Sequence, residues 1–114
     1  MSAITTHVLD TSRGRPADGV PVVLEIESAD GSWKQIGAAT TDADGRAKDL
    51  LPSNFALHGG VYKLTFDTAS YFASQKVESF YHEVNIVFEI HDPAQHYHVP
   101  LLLSPFGYST YRGS

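Results

Sequence analysis

Residues 84–90, VNIVFEI, predict a β-strand, because apolar and polar side chains alternate along them. One parity is wholly apolar and comprises Val84, Ile86, Phe88 and Ile90. Asn85 and Glu89 belong to the other parity, which is mostly polar. A period of two is typical of a β-strand with one buried and one solvated face.

Further short strands are predicted on both sides of this segment. Clear alternation recurs at 22–26 and 62–66, and weaker strands are predicted at 4–11, 33–40 and on either side of 104–107. Breaker pairs separate them: Asp30-Gly31, Asp44-Gly45, Gly59-Gly60 and Asp92-Pro93. Residues 68–75 predict one short connecting helix of about two turns. Seven or eight strands in this order favour a sandwich of two antiparallel sheets, with a small barrel as the competing architecture.

Length and composition indicate one globular domain spanning residues 1–114. Hydrophobic residues make up 42 % of the chain and charged residues 18 %, with a net charge of −5 and no cysteine. An acidic chain without a basic run makes nucleic acid or an anionic membrane a poor partner. Because neither a signal segment nor a long apolar run is present, we expect a soluble, cytoplasmic protein.

Histidines provide the first candidate chemistry. His96 and His98 are two residues apart on a predicted strand, so their side chains share one face. The opposite parity is apolar and predicts the core side: Tyr97, Val99, Leu101 and Leu103. The two histidines therefore face away from the core.

A hairpin is predicted at Ser104-Pro105-Phe106-Gly107, which suits a type I turn. If Ser104 pairs with Gly107, His98 lies opposite Gly113 and diagonal to Tyr111. A bulge would shift this register by one residue. Histidine, tyrosine and arginine side chains near Tyr111-Arg112 are suited to proton transfer and to binding an anion.

Metal sites are the competing interpretation. A His-x-His pair together with His7 has the residue types of a catalytic zinc site, although no carboxylate supports it. Residues 42–45, DADG, superficially resemble a calcium loop, but aligning the glycine puts Thr40 and Leu51 at ligand positions, so the segment is predicted to be a turn. Arg46, directly after it, is by default a surface residue. Ser12 and Ser114 lack the surroundings of a catalytic serine.

Four segments resemble the 5-hydroxyisourate hydrolases, the enzymatic branch of the transthyretin-like proteins. The resemblance covers essentially the whole chain, and its most specific stretch is the terminal Tyr111-Arg112-Gly113-Ser114. The others are 6–12 with Gly14, Pro16 and Ala17, then 41–46, and then 96–101.

The resemblance implies a transthyretin-like two-sheet sandwich of about eight strands with one short helix, assembled as a homotetramer that is a dimer of dimers. It implies hydrolysis of 5-hydroxyisourate, a small molecule formed in urate breakdown, to 2-oxo-4-hydroxy-4-carboxy-5-ureidoimidazoline, with no cofactor. A non-catalytic carrier of small aromatic ligands on the same fold is the alternative, and a structural adhesion module is the third possibility.

The resemblance also implies a site between subunits that is built from His7, Arg46, His98 and the segment 111–114. His98 and His7 would activate a water molecule, and which of them is the base stays open. Arg46 would bind the substrate or offset charge on its carbonyl oxygen. His7 and Tyr111 would contact the ring, and the hydroxyl and terminal carboxylate of Ser114 would bond a histidine or the substrate.

Overall fold

The computed structural model describes residues 3–113 of the chain. This range contains eight strands and one helix. In chain order they are β1 (Ile4–Asp10), β2 (Arg15–Pro16), β3 (Pro21–Glu27), β4 (Trp33–Thr40), β5 (Gly60–Phe66), α1 (Thr68–Ser74), β6 (Val84–Ile90), β7 (Tyr97–Ser104) and β8 (Gly107–Thr110). The predicted strands and the predicted helix are all present, with ends that differ by a residue or two.

Two four-stranded sheets form a sandwich. Sheet A has the order β2-β1-β7-β8, and sheet B has the order β4-β3-β5-β6. Apolar side chains from both sheets pack into one core, whose largest fully buried members include Tyr62, Phe66, Leu24, Leu64, Ile4 and Leu101. The alternation seen in the sequence is what places one face of each strand in that core. The sandwich is confirmed, and the barrel alternative is wrong.

One pairing departs from the expected antiparallel arrangement. β1 and β7 run parallel, in a register that sets Thr5 beside His98 and His7 beside Pro100. The remaining pairs are antiparallel. Period-two patterns reveal which face of a strand is buried but not its direction, so the sequence did not distinguish this pair from the others.

The hairpin of β7 and β8 has the predicted register. Ser104 pairs with Gly107, Leu101 pairs with Thr110, and a further bridge joins His98 to Gly113. Since the register does not slip, the inward parity of β7 is also as predicted: Tyr97, Val99, Leu101 and Leu103 are buried. His98 therefore lies on the outer face of sheet A.

Asp10, at the end of β1, links sheet A to helix α1 through a hydrogen bond. Its carboxylate is 1 % exposed and accepts hydrogen bonds from the Ser12 amide at 3.0 Å and from the Tyr71 hydroxyl of α1 at 2.7 Å. Burial acts to raise the pKa of Asp10, but the hydrogen bonds outweigh burial and keep the pKa below its usual value. The buried charge is thus satisfied, and α1 is a structural connector.

Candidate active site

A cleft of about 830 Å³ lies on the outer face of sheet A. Strands β1 and β7 form its floor, and the chain that follows β4 forms its wall. Its polar lining side chains include Thr5, Arg46, Lys48, Ser53, His96 and His98. A cleft of this size is suited to a small molecule.

The segment 42–46 brings Arg46 to the cleft. The Asp42 carboxylate closes this turn by accepting hydrogen bonds from the Asp44 amide at 2.9 Å and the Arg46 amide at 3.1 Å. The turn is then held against β1, because the Val8 amide donates to the Gly45 carbonyl at 2.7 Å. A bridge between His7 and Arg46 results.

Gly45 is required for this close approach. Its φ is +77°, a conformation that favours glycine, and a Cβ atom there would lie 2.4 Å from the Val8 carbonyl oxygen. The turn predicted at this segment is confirmed. The Asp42 carboxylate accepts hydrogen bonds from the backbone of this turn.

His98 is held on two sides. Its Nδ1 atom lies 2.8 Å from the Thr5 hydroxyl oxygen. On the opposite edge of the ring, Gly113 packs so closely that a Cβ atom there would lie 2.6 Å from Cδ2 of His98. Nε2 is the ring nitrogen of His98 that has no hydrogen-bond partner among the described residues.

The surroundings of His98 favour its neutral form. Partial burial lowers the pKa of His98 most, and the nearby charges of Arg46, His7 and His96 lower it further. A histidine pKa below its ordinary value leaves the imidazole uncharged at neutral pH. An uncharged imidazole beside a permanent cation is suited to taking a proton from water.

His7 and Thr5 reach this surface through the alternation of β1. The even-numbered residues of β1 are buried, so Thr5 and His7 lie on the outer face together with His98. The charge of His7 acts on His98, although His7 does not line the cleft itself. The structure therefore brings together three of the predicted residues, His7, Arg46 and His98.

Tyr111 lies elsewhere in the single chain. It is 57 % exposed and lines a second pocket, of about 430 Å³, next to Tyr97 and Val99. The following Arg112 stacks its guanidinium over the Tyr97 ring at 4.6 Å. Within one chain, Tyr111 is not part of the cleft that holds His98, and Ser114 lies outside the described residues.

The zinc alternative is not supported by the side-chain arrangement. Between residues 3 and 113, no three His, Asp or Glu side chains are placed to hold one metal ion. His96 and His98 instead direct ring nitrogens to the same hydroxyl, that of Thr5, at 3.0 and 2.8 Å. In the same range, no helix is long and apolar enough to cross a membrane.

Sequence reasoning missed part of this cleft. Thr5, Lys48 and Ser53 line it and were not among the predicted site residues. Thr5 carries a recognisable signal, because it precedes His7 by two and so shares its face. Lys48 and Ser53 lie in irregular chain, where periodicity gives no information.

Fold and site together define a class: a two-sheet β-sandwich that carries a histidine and an arginine in a cleft on its outer face. The profile described as the HIUase/Transthyretin family matches residues 4–113. The chain belongs to this family.

Individual relatives agree with that membership. A 5-hydroxyisourate hydrolase of Salmonella typhimurium is 48 % identical over 97 % of this chain and 80 % of its own length. The solved structure of Klebsiella pneumoniae 5-hydroxyisourate hydrolase matches with a TM-score of 0.83 and 40 % identity, covering 97 % of this chain and 98 % of that one. Sea bream transthyretin in complex with thyroxine matches with a TM-score of 0.91 and 35 % identity, covering 98 % and 95 %.

The electrostatics of the cleft predict the titration of His98. By NMR, its pKa should lie below 6.5, and Arg46→Gln should raise it towards 6.5 because a nearby positive charge is removed. Arg15→Gln, on the exposed strand β2, is the matched control and should leave the titration unchanged. A pKa at or above 6.5 in the unaltered protein, or one insensitive to Arg46, would contradict this electrostatic picture.

Proposed function

We propose that this chain hydrolyses 5-hydroxyisourate to 2-oxo-4-hydroxy-4-carboxy-5-ureidoimidazoline in urate breakdown. The observation that supports this most is a single cleft that holds His98, with its lowered pKa, beside Arg46. A near full-length relative at 48 % identity is named for this activity. Hydrolysis of an activated ring amide needs a positioned water and charge stabilisation, which this pair of residues supplies.

His98 is the general base in this proposal. Its free Nε2 takes a proton from a water molecule while the water oxygen attacks the ring carbonyl carbon. The ring carbon–nitrogen bond then breaks, and the departing nitrogen takes up the proton from Nε2. The lowered pKa of His98 keeps the imidazole ready for the first step at neutral pH.

Arg46 stabilises the negative charge that develops on the carbonyl oxygen. Its guanidinium is permanently charged and presents donors in a fixed planar fork, which suits an oxyanion or a purine-like ring. The Asp42 turn and the hydrogen bond to β1 hold the Arg46 backbone in place before substrate arrives. Lys48 lies on the same wall, but it pairs with the Asp42 carboxylate at 3.5 Å and has Asp49 beside it, so Arg46 is the cation assigned to the developing charge.

The remaining predicted residues have supporting roles. His7 bridges to Arg46 through the backbone but does not line the cleft of its own chain, so its contact with the substrate or the attacking water is proposed at the subunit interface. Tyr111 and Ser114 are proposed to reach the substrate at a subunit interface, since Tyr111 does not line the cleft of its own chain. We propose no cofactor and no metal ion.

A carrier function is the second candidate, because the fold matches a transthyretin that binds thyroxine. The backbone alone does not separate the two functions. Two observations favour the hydrolase: the identity is higher to hydrolases, and the cleft is polar and built around a histidine and an arginine.

We also propose a homotetramer. Strands β6 and β8 are edge strands at one side of the sandwich, where free backbone groups are available for pairing with another chain. Exposed apolar side chains lie on or beside these strands: Val87, Phe80, Phe106 and Tyr108. A two-fold arrangement of identical chains would cover both features, and two such dimers would make the tetramer.

The proposed activity is tested by generating 5-hydroxyisourate with urate oxidase and following its ultraviolet decay. We expect the protein to accelerate the decay in the presence of EDTA. His98→Asn should reduce kcat/KM by about a hundredfold or more, because the base is removed. His91→Asn, which changes an exposed histidine, is the matched control.

Two results would refute the proposal: decay at the spontaneous rate with the unaltered protein, or full activity in His98→Asn. If EDTA abolished turnover and zinc restored it, the metal-free mechanism would be wrong.

Assembly is tested by light scattering. We expect four times the chain mass of 12.5 kDa. Val87→Glu places a charge on the β6 edge and should give smaller particles, whereas Ala38→Glu on β4, at the other side of sheet B, should not. A monomer with full activity would remove the subunit interface from the proposed site.

A further inference from the structure

Thr5 is the residue that connects the two histidines of the cleft. Its hydroxyl oxygen lies 2.8 Å from Nδ1 of His98 and 3.0 Å from Nε2 of His96. Thr5 lies directly beside His98 in the parallel register of β1 and β7. The contact with His98 is therefore fixed by the backbone of sheet A, whereas His96 lies directly before β7.

A hydroxyl group has one proton, so these two contacts have a direction. Thr5 can donate to one histidine while it accepts from the other. If Thr5 donates to Nδ1 of His98, then Nε2 of His98 carries the ring proton and has no lone pair. If Thr5 accepts from Nδ1, then Nε2 is bare and can act as a base.

The proposed reaction decides between these two arrangements. Thr5 occupies Nδ1, and among the described residues Nε2 of His98 has no hydrogen-bond partner, so Nε2 is the nitrogen available to act as a base. We propose that Thr5 is a positioning residue. Its hydroxyl accepts a hydrogen bond from Nδ1–H of His98 and donates one to Nε2 of His96. These bonds hold His98 as the tautomer whose Nε2 is unprotonated. This inference rests on the proposed function, since a base at Nε2 is what hydrolysis needs.

The other groups around His98 are consistent with this assignment. Arg46 and protonated His7 or His96 are positive, and all three disfavour a charged His98. An arginine donates and does not accept, so it cannot take the Nδ1 proton. A hydrogen bond to the Thr5 backbone opposes these effects and raises the pKa of His98.

The test compares Thr5→Val, which keeps the shape and removes the hydroxyl, with Thr5→Ser, which keeps the hydroxyl. Thr11→Val is the matched control, since the Thr11 hydroxyl also bonds from the β1 side to β7, at the Leu103 carbonyl. We expect Thr5→Val to lower kcat by about tenfold, the equivalent of one hydrogen bond. Thr5→Ser and Thr11→Val should stay close to the unaltered protein.

The pH profile separates positioning from a merely structural role. Loss of the Thr5 acceptor should move the acid limb of kcat/KM to lower pH, because the imidazolium of His98 loses a partner. A loosened site would instead expose His98 to water and move the limb to higher pH, towards the ordinary histidine pKa. Three results would overturn the proposal. They are an unchanged kcat in Thr5→Val, an acid limb of kcat/KM that moves to higher pH in Thr5→Val, and a folded Thr5→Ser whose kcat falls as far as that of Thr5→Val.

An NMR titration of His98 without substrate keeps this inference separate from the proposed function. If the unaltered protein does not hydrolyse 5-hydroxyisourate, the proposed function fails. Even in that case, Thr5→Val should lower the pKa of His98. An unchanged or raised pKa would refute the proposed hydrogen bond from His98 to the Thr5 hydroxyl. Thr5→Ala serves as a second hydroxyl-free variant if Thr5→Val does not fold.

Discussion

The parallel pairing of β1 with β7 is the constraint on which the candidate site depends. These strands come from opposite ends of the chain, and their register places Thr5 beside His98 and His7 beside Pro100. A shift of one residue would turn Thr5 and His7 into the core and bring Thr6 and Val8 to the surface. The buried parity of both strands opposes such a shift, because Ile4, Val8, Val99 and Leu101 fill the core. Hydrophobic packing inside the sandwich thus fixes the polar geometry outside it.

Electrostatics then determine what this geometry can do. Partial burial and neighbouring positive charge lower the pKa of His98, which favours the uncharged imidazole that the proposed mechanism requires. Arg46 beside it carries a permanent positive charge. The arginine reaches this position through a turn that only a residue at positive φ completes, Gly45, and through the Asp42 carboxylate that bonds the Arg46 amide. The conformation of the turn at Gly45 and the positive charge of Arg46 therefore both act on the cleft that holds His98.

Much of the fold follows from local patterns, whereas the site follows from them only in part. Alternation predicts the strands, their buried faces and the helix at 68–75, and the turn at Ser104–Gly107 predicts that His98 lies opposite Gly113. These features depend on residues close together in sequence. The direction of β1 against β7 depends on residues more than 90 apart, so Thr5 could not be placed beside His98 in advance. The spacing of His96 and His98 marked His98 as a candidate, whereas the roles of His7, Arg46 and His98 entered the prediction through family resemblance. The position of Tyr111 relative to the cleft depends on assembly, which stays a prediction.

In the proposed mechanism, the register of β1 against β7 holds His98 as a neutral base with an unprotonated Nε2. The most direct measurement is ¹⁵N NMR of the His98 ring at a pH above its titration, because the two ring nitrogens differ strongly according to which carries the proton. We expect a protonated Nδ1, bonded to Thr5, and an unprotonated Nε2. A ring protonated at Nε2, with an unprotonated Nδ1, would contradict this mechanism.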